Sequence, residues 1–149
     1  MADRDELGIK QMVILMIWGD ALDPSNVFQL LRFTGWQPQQ AWRKGDQVWV
    51  GELDGSRRLL DEVQSFGAVR LWPKREWLSS DLEGQIQYWS EVLTSRADEL
   101  SQLRKDGANV TLQCALLDHG VYDVAAEVYA RLGQLGVDLA FEVSVPRGE

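Results

Sequence analysis

Val110-Thr111-Leu112-Gln113-Cys114-Ala115-Leu116 alternates its larger apolar side chains with smaller or polar ones. A helical pattern then runs through Val124, Val128 and Leu132 to Gly136. After the glycine, Val137, Leu139, Phe141, Val143 and Val145 fall on one face of an extended chain, with Asp138, Ala140, Glu142 and Ser144 on the other. Period two, then a stripe near 3.6, then period two again describes a sheet covered on one side by a helix. The crossover of about 20 residues between Leu116 and Val137 is long enough to join two parallel strands, and it would then be right-handed.

Working outward, Met12–Trp18 is apolar on both faces, as in a central strand covered on both sides or lying deep in a sheet. Asp23-Pro24 has the chemistry of a helix start: a capping carboxylate followed by a proline suited to the first turn. Val27, Leu30, Leu31 and Thr34 share a face of that helix, and Gly35 is the expected stop. Gln47–Leu53 reads as a short strand followed by a turn at Asp54-Gly55. Ala68–Trp72 reads as another, which Pro73 either ends or places at a sheet edge. Between them, Ser56–Phe66 fits either a short helix or an irregular excursion.

Ser80-Asp81-Leu82-Glu83 has the spacing of a capping box, in which serine and glutamate each satisfy an exposed amide. Leu82, Ile86, Trp89, Leu93, Leu100 and Leu103 continue at heptad-like spacing to Asp106-Gly107, and Arg96 interrupts the stripe. This predicts one helix from Asp81 to Arg104, about 36 Å long, with Tyr88 and Val92 on a second flank. The order strand, helix, two strands, helix, strand, helix, strand gives an α+β fold with a mixed sheet of about five strands. Its first six elements follow the β-α-β-β-α-β order of a ferredoxin-like unit, with a helix and strand added. Residues 1–10 are expected to form a loose terminus and residues 11–149 a single domain.

The 149 residues suffice for one domain that buries about two-thirds of its unfolded surface. With 45% hydrophobic and 26% charged residues, disorder is not the expectation. A single cysteine excludes an intramolecular disulfide, and with no signal peptide at Met1 the reading is a cytoplasmic protein. Met12–Trp18 is far shorter than the roughly 20 residues of a membrane helix, so no membrane span is expected. Cys114 and His119 are the only thiol and imidazole, which excludes a metal site built from several of either, and no cofactor is expected. A net charge of −8 disfavours nucleic acid. The same charge favours solubility, and it would steer in a basic partner.

Seven tryptophans are the compositional oddity. Trp49 and Trp89 sit in strand and helix patterns and read as core. Trp36, Trp42, Trp72 and Trp77 fall in or near connections, where they either anchor a partner or cover the ends of the sheet. Arg43-Lys44-Gly45-Asp46 is a polar turn able to receive an anion, or simply to be solvated; no phosphate-loop pattern accompanies it. The candidate binding surface is therefore Trp36, Trp42, Arg43, Lys44, Asp46 and Trp72. His119 beside Asp118 has the composition of a base, and equally of a helix-start turn. Asp118, Asp123 and Glu127 suit the first turn of a helix through its dipole. No residue is assigned a catalytic role.

The order of these pieces resembles a bacterial family catalogued as domain of unknown function 4279. The matching pieces are Val13–Trp18, Asp23-Pro24 to Gly35, Lys44-Gly45-Asp46, Leu71-Trp72, Leu82–Leu93, Val110–Leu116 and Leu132–Val143. The resemblance implies a small bacterial cytoplasmic domain and implies no activity. Small size, acidity and tryptophans near loops, without a catalytic set, point to a protein-binding module, of an immunity or neutralising kind. The alternative is a small-molecule sensor holding its ligand between the sheet and the Trp42–Asp46 turn. A homodimer through the long helix, at Tyr88 and Val92 near Pro73 and Trp77, is also expected.

Overall fold

The computed structural model describes residues 11–32, 40–47, 49–51, 57–59, 63–116 and 122–143. Strand β1 (Gln11–Gly19) is the middle of a five-stranded sheet. On one side it pairs antiparallel with β5 (Gly67–Leu71), which in turn pairs antiparallel with β2 (Gln40–Trp42). On the other side it pairs antiparallel with β6 (Asn109–Leu116), and β6 runs parallel to β7 (Val137–Val143). The spatial order is β2-β5-β1-β6-β7. A separate antiparallel pair is made by β3 (Trp49–Gly51) and β4 (Arg57–Leu59).

Four helices pack on the sheet: α1 (Pro24–Leu31) on β5, α2 (Leu82–Thr94) on β1, α3 (Ala97–Lys105) on β6 and α4 (Ala126–Leu135) on β7. Val13, Leu15 and Ile17 of β1 share a core with Val69, Leu71, Val110, Leu112 and the inner faces of the helices. Met12, Ile14 and Met16 are buried as well, so β1 is covered on both faces, as its unbroken apolar run requires. The fold is α+β with a mixed sheet, and α4 makes the parallel crossover from β6 to β7. The bare β-α-β-β-α-β succession is not reproduced. Four strands stand between α1 and α2, because β2 and the β3–β4 hairpin are inserted ahead of β5.

The expected helix from Asp81 to Arg104 is two helices. The Thr94 hydroxyl donates to the Ser90 carbonyl at 2.6 Å and the Ser95 hydroxyl to the Val92 carbonyl at 2.5 Å. Hydroxyls that take backbone carbonyls in this way bend or end a helix. Arg96 leaves helical geometry (φ −122°, ψ 26°), and α3 restarts at Ala97. The bend keeps Leu93 and Leu100 fully buried in one core, where a straight 36 Å rod would overrun the sheet.

Asp23 with Pro24 starts α1 as expected and Gly136 ends α4, but the cap of α2 and the end of α1 differ from the expected ones. Asp81, not Ser80, caps α2, accepting from the Gly84 amide at 2.8 Å. Glu83 reaches across to accept from the Ala125 amide at 2.8 Å, tying α2 to the start of α4. Helix α1 stops at Leu31, before Gly35, because Arg32 adopts the left-handed conformation (φ 47°) and donates its amide to the Phe28 carbonyl. Thr34 and Gly35 lie outside the described residues. Within Gln47–Leu53 the described strand is Trp49–Gly51, and the Ser56–Phe66 stretch contains β4, a strand where a helix or an irregular excursion was expected. Pro73 follows the end of β5, which is an inner strand.

Where β5 ends, α2 takes over its hydrogen bonding. The β1–β5 ladder starts at Leu15↔Leu71, so Gln11–Val13 extends beyond it. Gln85 is fully buried; its carbonyl oxygen accepts from the Val13 amide at 2.9 Å, and its NH₂ donates to the Gln11 carbonyl at 3.1 Å and the Ser80 carbonyl at 3.2 Å. The Trp89 indole donates to the Val13 carbonyl at 2.8 Å. Helix side chains thus supply the partners that a buried strand end needs.

Candidate functional site

The Trp42–Asp46 turn is fixed by its own hydrogen bonds. The Arg43 amide donates to Asp46 Oδ2 at 2.9 Å, the Asp46 amide returns to the Arg43 carbonyl at 3.0 Å, and Gly45 takes a positive φ of 93°. The Gly45 amide and Asp46 carbonyl then bond Gln64, each at 2.8 Å. Both cationic side chains are engaged. Arg43 Nη2 and Nε donate to Asp23 Oδ1 at 3.1 and 3.3 Å, and Lys44 Nζ pairs with Asp20 at 3.1 Å. Asp23 also accepts from the Ser25 amide at 3.0 Å. That backbone hydrogen bond, and then Arg43, hold its carboxyl below the usual value of 3.8. The turn is therefore bolted to the loop between β1 and α1, with its positive charge already answered by carboxylates.

Trp42 is 8% exposed and packs with Met16 and Ala68 behind the sheet, beside Trp18 and Phe66. The Phe66 ring lies 5.6 Å from Trp18 and 6.1 Å from Trp42. Trp72 is half-buried just past β5, and Trp77 is 7% exposed. Trp42 stands opposite Ala68, four residues before Trp72 along the same chain, roughly 13 Å away in an extended strand. The structure thus joins Trp42, Arg43, Lys44 and Asp46 in one turn and leaves Trp72 apart from them. Trp42 and Trp77 are covers of the sheet and core, not protruding anchors. Trp36, Asp118 and His119 lie outside the described residues; Asp123 and Glu127 are exposed.

Two features were not singled out from the sequence. Behind the sheet, Arg70 donates to Gln40 at 2.7 Å and to Gln113 at 3.2 Å, forming a polar row beside the Trp18, Phe66 and Trp42 rings. At the outer edge, Phe141 and Val143 of β7 are 49% and 50% exposed, although they continue the face of the buried Val137. Tyr129, on the helix that packs against β7, is 47% exposed. Val137 is buried in the core and Leu139 packs partly against it, whereas Phe141 and Val143 stay half open to solvent.

Tyr88, expected on an uncovered flank, stacks on Trp77 at 5.2 Å and stays 39% exposed, while Val92 packs against the core. A cleft of about 310 Å³ lies between the ends of α3 and α4, lined by Arg104, Asn109, Gly133, Gly136 and Asp138 among others. The Arg104 guanidinium lies against Gly136 there. Cys114 is buried, and burial pushes its thiol up to about 12. Among the described residues no group of three or more His, Cys, Asp or Glu is placed to hold a metal. No helix there is long and apolar enough to cross a membrane. No protein-family model, curated protein or solved structure matches the chain.

Proposed function

We propose that the chain is a protein-binding module whose contact surface lies at the corner of α4 and β7. The observation that carries this is the row Phe141 and Val143, large apolar side chains half-exposed on the outermost strand of the sheet. Exposed apolar side chains grouped at one corner mark an interaction surface more often than a chance placement. The net charge of −8 supports a basic partner, whose approach it would accelerate. A neutralising or immunity role belongs to this reading, as do the cytoplasmic setting and the bacterial 4279 resemblance. Affinity capture from a lysate of the source cell, at low and high salt and with mass spectrometry, tests it. A stoichiometric partner is expected at low salt; recovery of none under either condition overturns the reading.

The second reading is a small-molecule binding domain, favoured by the Gln40–Arg70–Gln113 row beside three aromatic rings. It moves the site from the Arg43–Asp46 turn to the back of the sheet. A thermal-shift screen of nucleotides, amino acids and sugar phosphates tests it, since a bound ligand raises the melting temperature by mass action. Uniformly flat shifts remove it.

A further inference from the structure

We infer that β7 is a strand-pairing site for an extended basic segment of another protein, in which Lys or Arg alternates with large apolar residues. The inference rests on the protein-binding reading and adds the partner's chemistry. Among the described residues β7 pairs only with β6, so its outer side presents the unpaired amides and carbonyls of a sheet edge. Proteins ordinarily blunt such an edge with charged side chains, lysine above all, with proline or with a bulge; the charges on β7 are the two carboxylates of Asp138 and Glu142, which a cationic strand would neutralise. Val137–Val143 contains no lysine and no proline, and its register against β6 runs unbroken over seven pairs.

The two faces of β7 specify the partner. One carries Phe141 and Val143, both half-exposed, so an added strand would lay apolar side chains against them. The other carries Asp138 and Glu142, both exposed, with Ala140 between them. An added strand with a cation at every second position would place those cations beside the two carboxylates. Opposite charges across a strand pair favour pairing, and like charges directly opposite oppose it. A second copy of this chain fits less well. Any two-fold antiparallel pairing that keeps the apolar rows together gathers four carboxylates on one narrow face, between two molecules of −8 each.

A fluorescein-labelled peptide of four lysines alternating with three valines, with both ends blocked, tests the inference by anisotropy. Controls are the same peptide with glutamate for lysine, and the lysine peptide N-methylated at alternate amides. The lysine peptide is expected to bind, with affinity falling as salt rises. Both controls should bind at least about tenfold more weakly, since one loses the charge match and the other the backbone pairing. Asp138→Lys with Glu142→Lys should reverse the preference toward the glutamate peptide. Amide exchange should slow across residues 137–143 when the lysine peptide is bound. The inference is overturned if the lysine peptide fails to bind a protein with the normal melting transition, or if the methylated peptide binds as well. It is equally overturned if light scattering finds a dimer that already protects β7. A lysate partner retained by the charge-reversed variant would overturn strand pairing while leaving the protein-binding reading intact.

Discussion

Gln85 makes a demanding substitution target, because one side chain serves two backbone groups at a strand end and the Ser80 carbonyl ahead of α2. Gln85→Leu keeps the volume but strands the buried Val13 amide and the part-buried Gln11 carbonyl. Each buried group left without a partner costs about 1–3 kcal/mol. The expected loss is about 2–3 kcal/mol in urea unfolding, with the m-value unchanged; a loss under about 0.5 kcal/mol would mean that the contact is dispensable. Cys114 invites a chemical check at the same scale. Its thiol is buried and pushed up to about 12 by that burial, so little thiolate forms at pH 8. The native protein should resist a thiol reagent such as dithionitrobenzoate and react fully in denaturant. Prompt native reaction would show that the strand opens or that the thiol is reachable.

Among the elements, α1 has a start that is sensitive to acid. Asp23 caps the helix through the Ser25 amide and holds Arg43, so its carboxyl titrates below 3.8 in the folded state. A depressed folded value stabilises above the unfolded value, and that contribution disappears as pH falls through the folded one. Asp23→Asn should therefore lower the melting temperature at pH 7 and leave it nearly unchanged at about pH 2. An equal deficit at both pH values would assign the effect to something other than the charge. The loop ahead of α1 crosses β5 closely at Leu22 and Gly67: a Cβ at position 67 would collide with the Leu22 carbonyl. Backbone cannot yield as a side-chain tip can, so Gly67→Ala should cost about 2–3 kcal/mol. A cost within about 0.5 kcal/mol, by the same urea titration, would mean that the loop gives way.

For the whole molecule, the β6-α4-β7 unit and the doubly buried β1 were legible because each changes or sustains a period over many residues. Strands β2 and β4 were not, since three residues are too few to display a period. The bend at Ser95-Arg96 depends on hydroxyls turning back on the helix, which spacing does not encode. The candidate turn was legible as a turn, but its pairing with Asp20 and Asp23 joins residues far apart in sequence. Alternation placed Phe141 and Val143 on one face with Val137 and gave no sign that they stay half-exposed there.

The same scale decides how salt acts on stability. A charge of −8 repels itself within the folded chain, and screening relieves that repulsion. Screening also weakens Arg43–Asp23 and Lys44–Asp20, but exposed ion pairs contribute little. Relief should win. Raising sodium chloride from low to moderate concentration at pH 7 should stabilise the protein by about 1 kcal/mol, which for this chain length raises Tm by roughly 2–4 °C. A Tm that falls with salt would mean that local pairs outweigh the global field, and it would locate much of the acidity beside cations instead of on open surface for a basic partner.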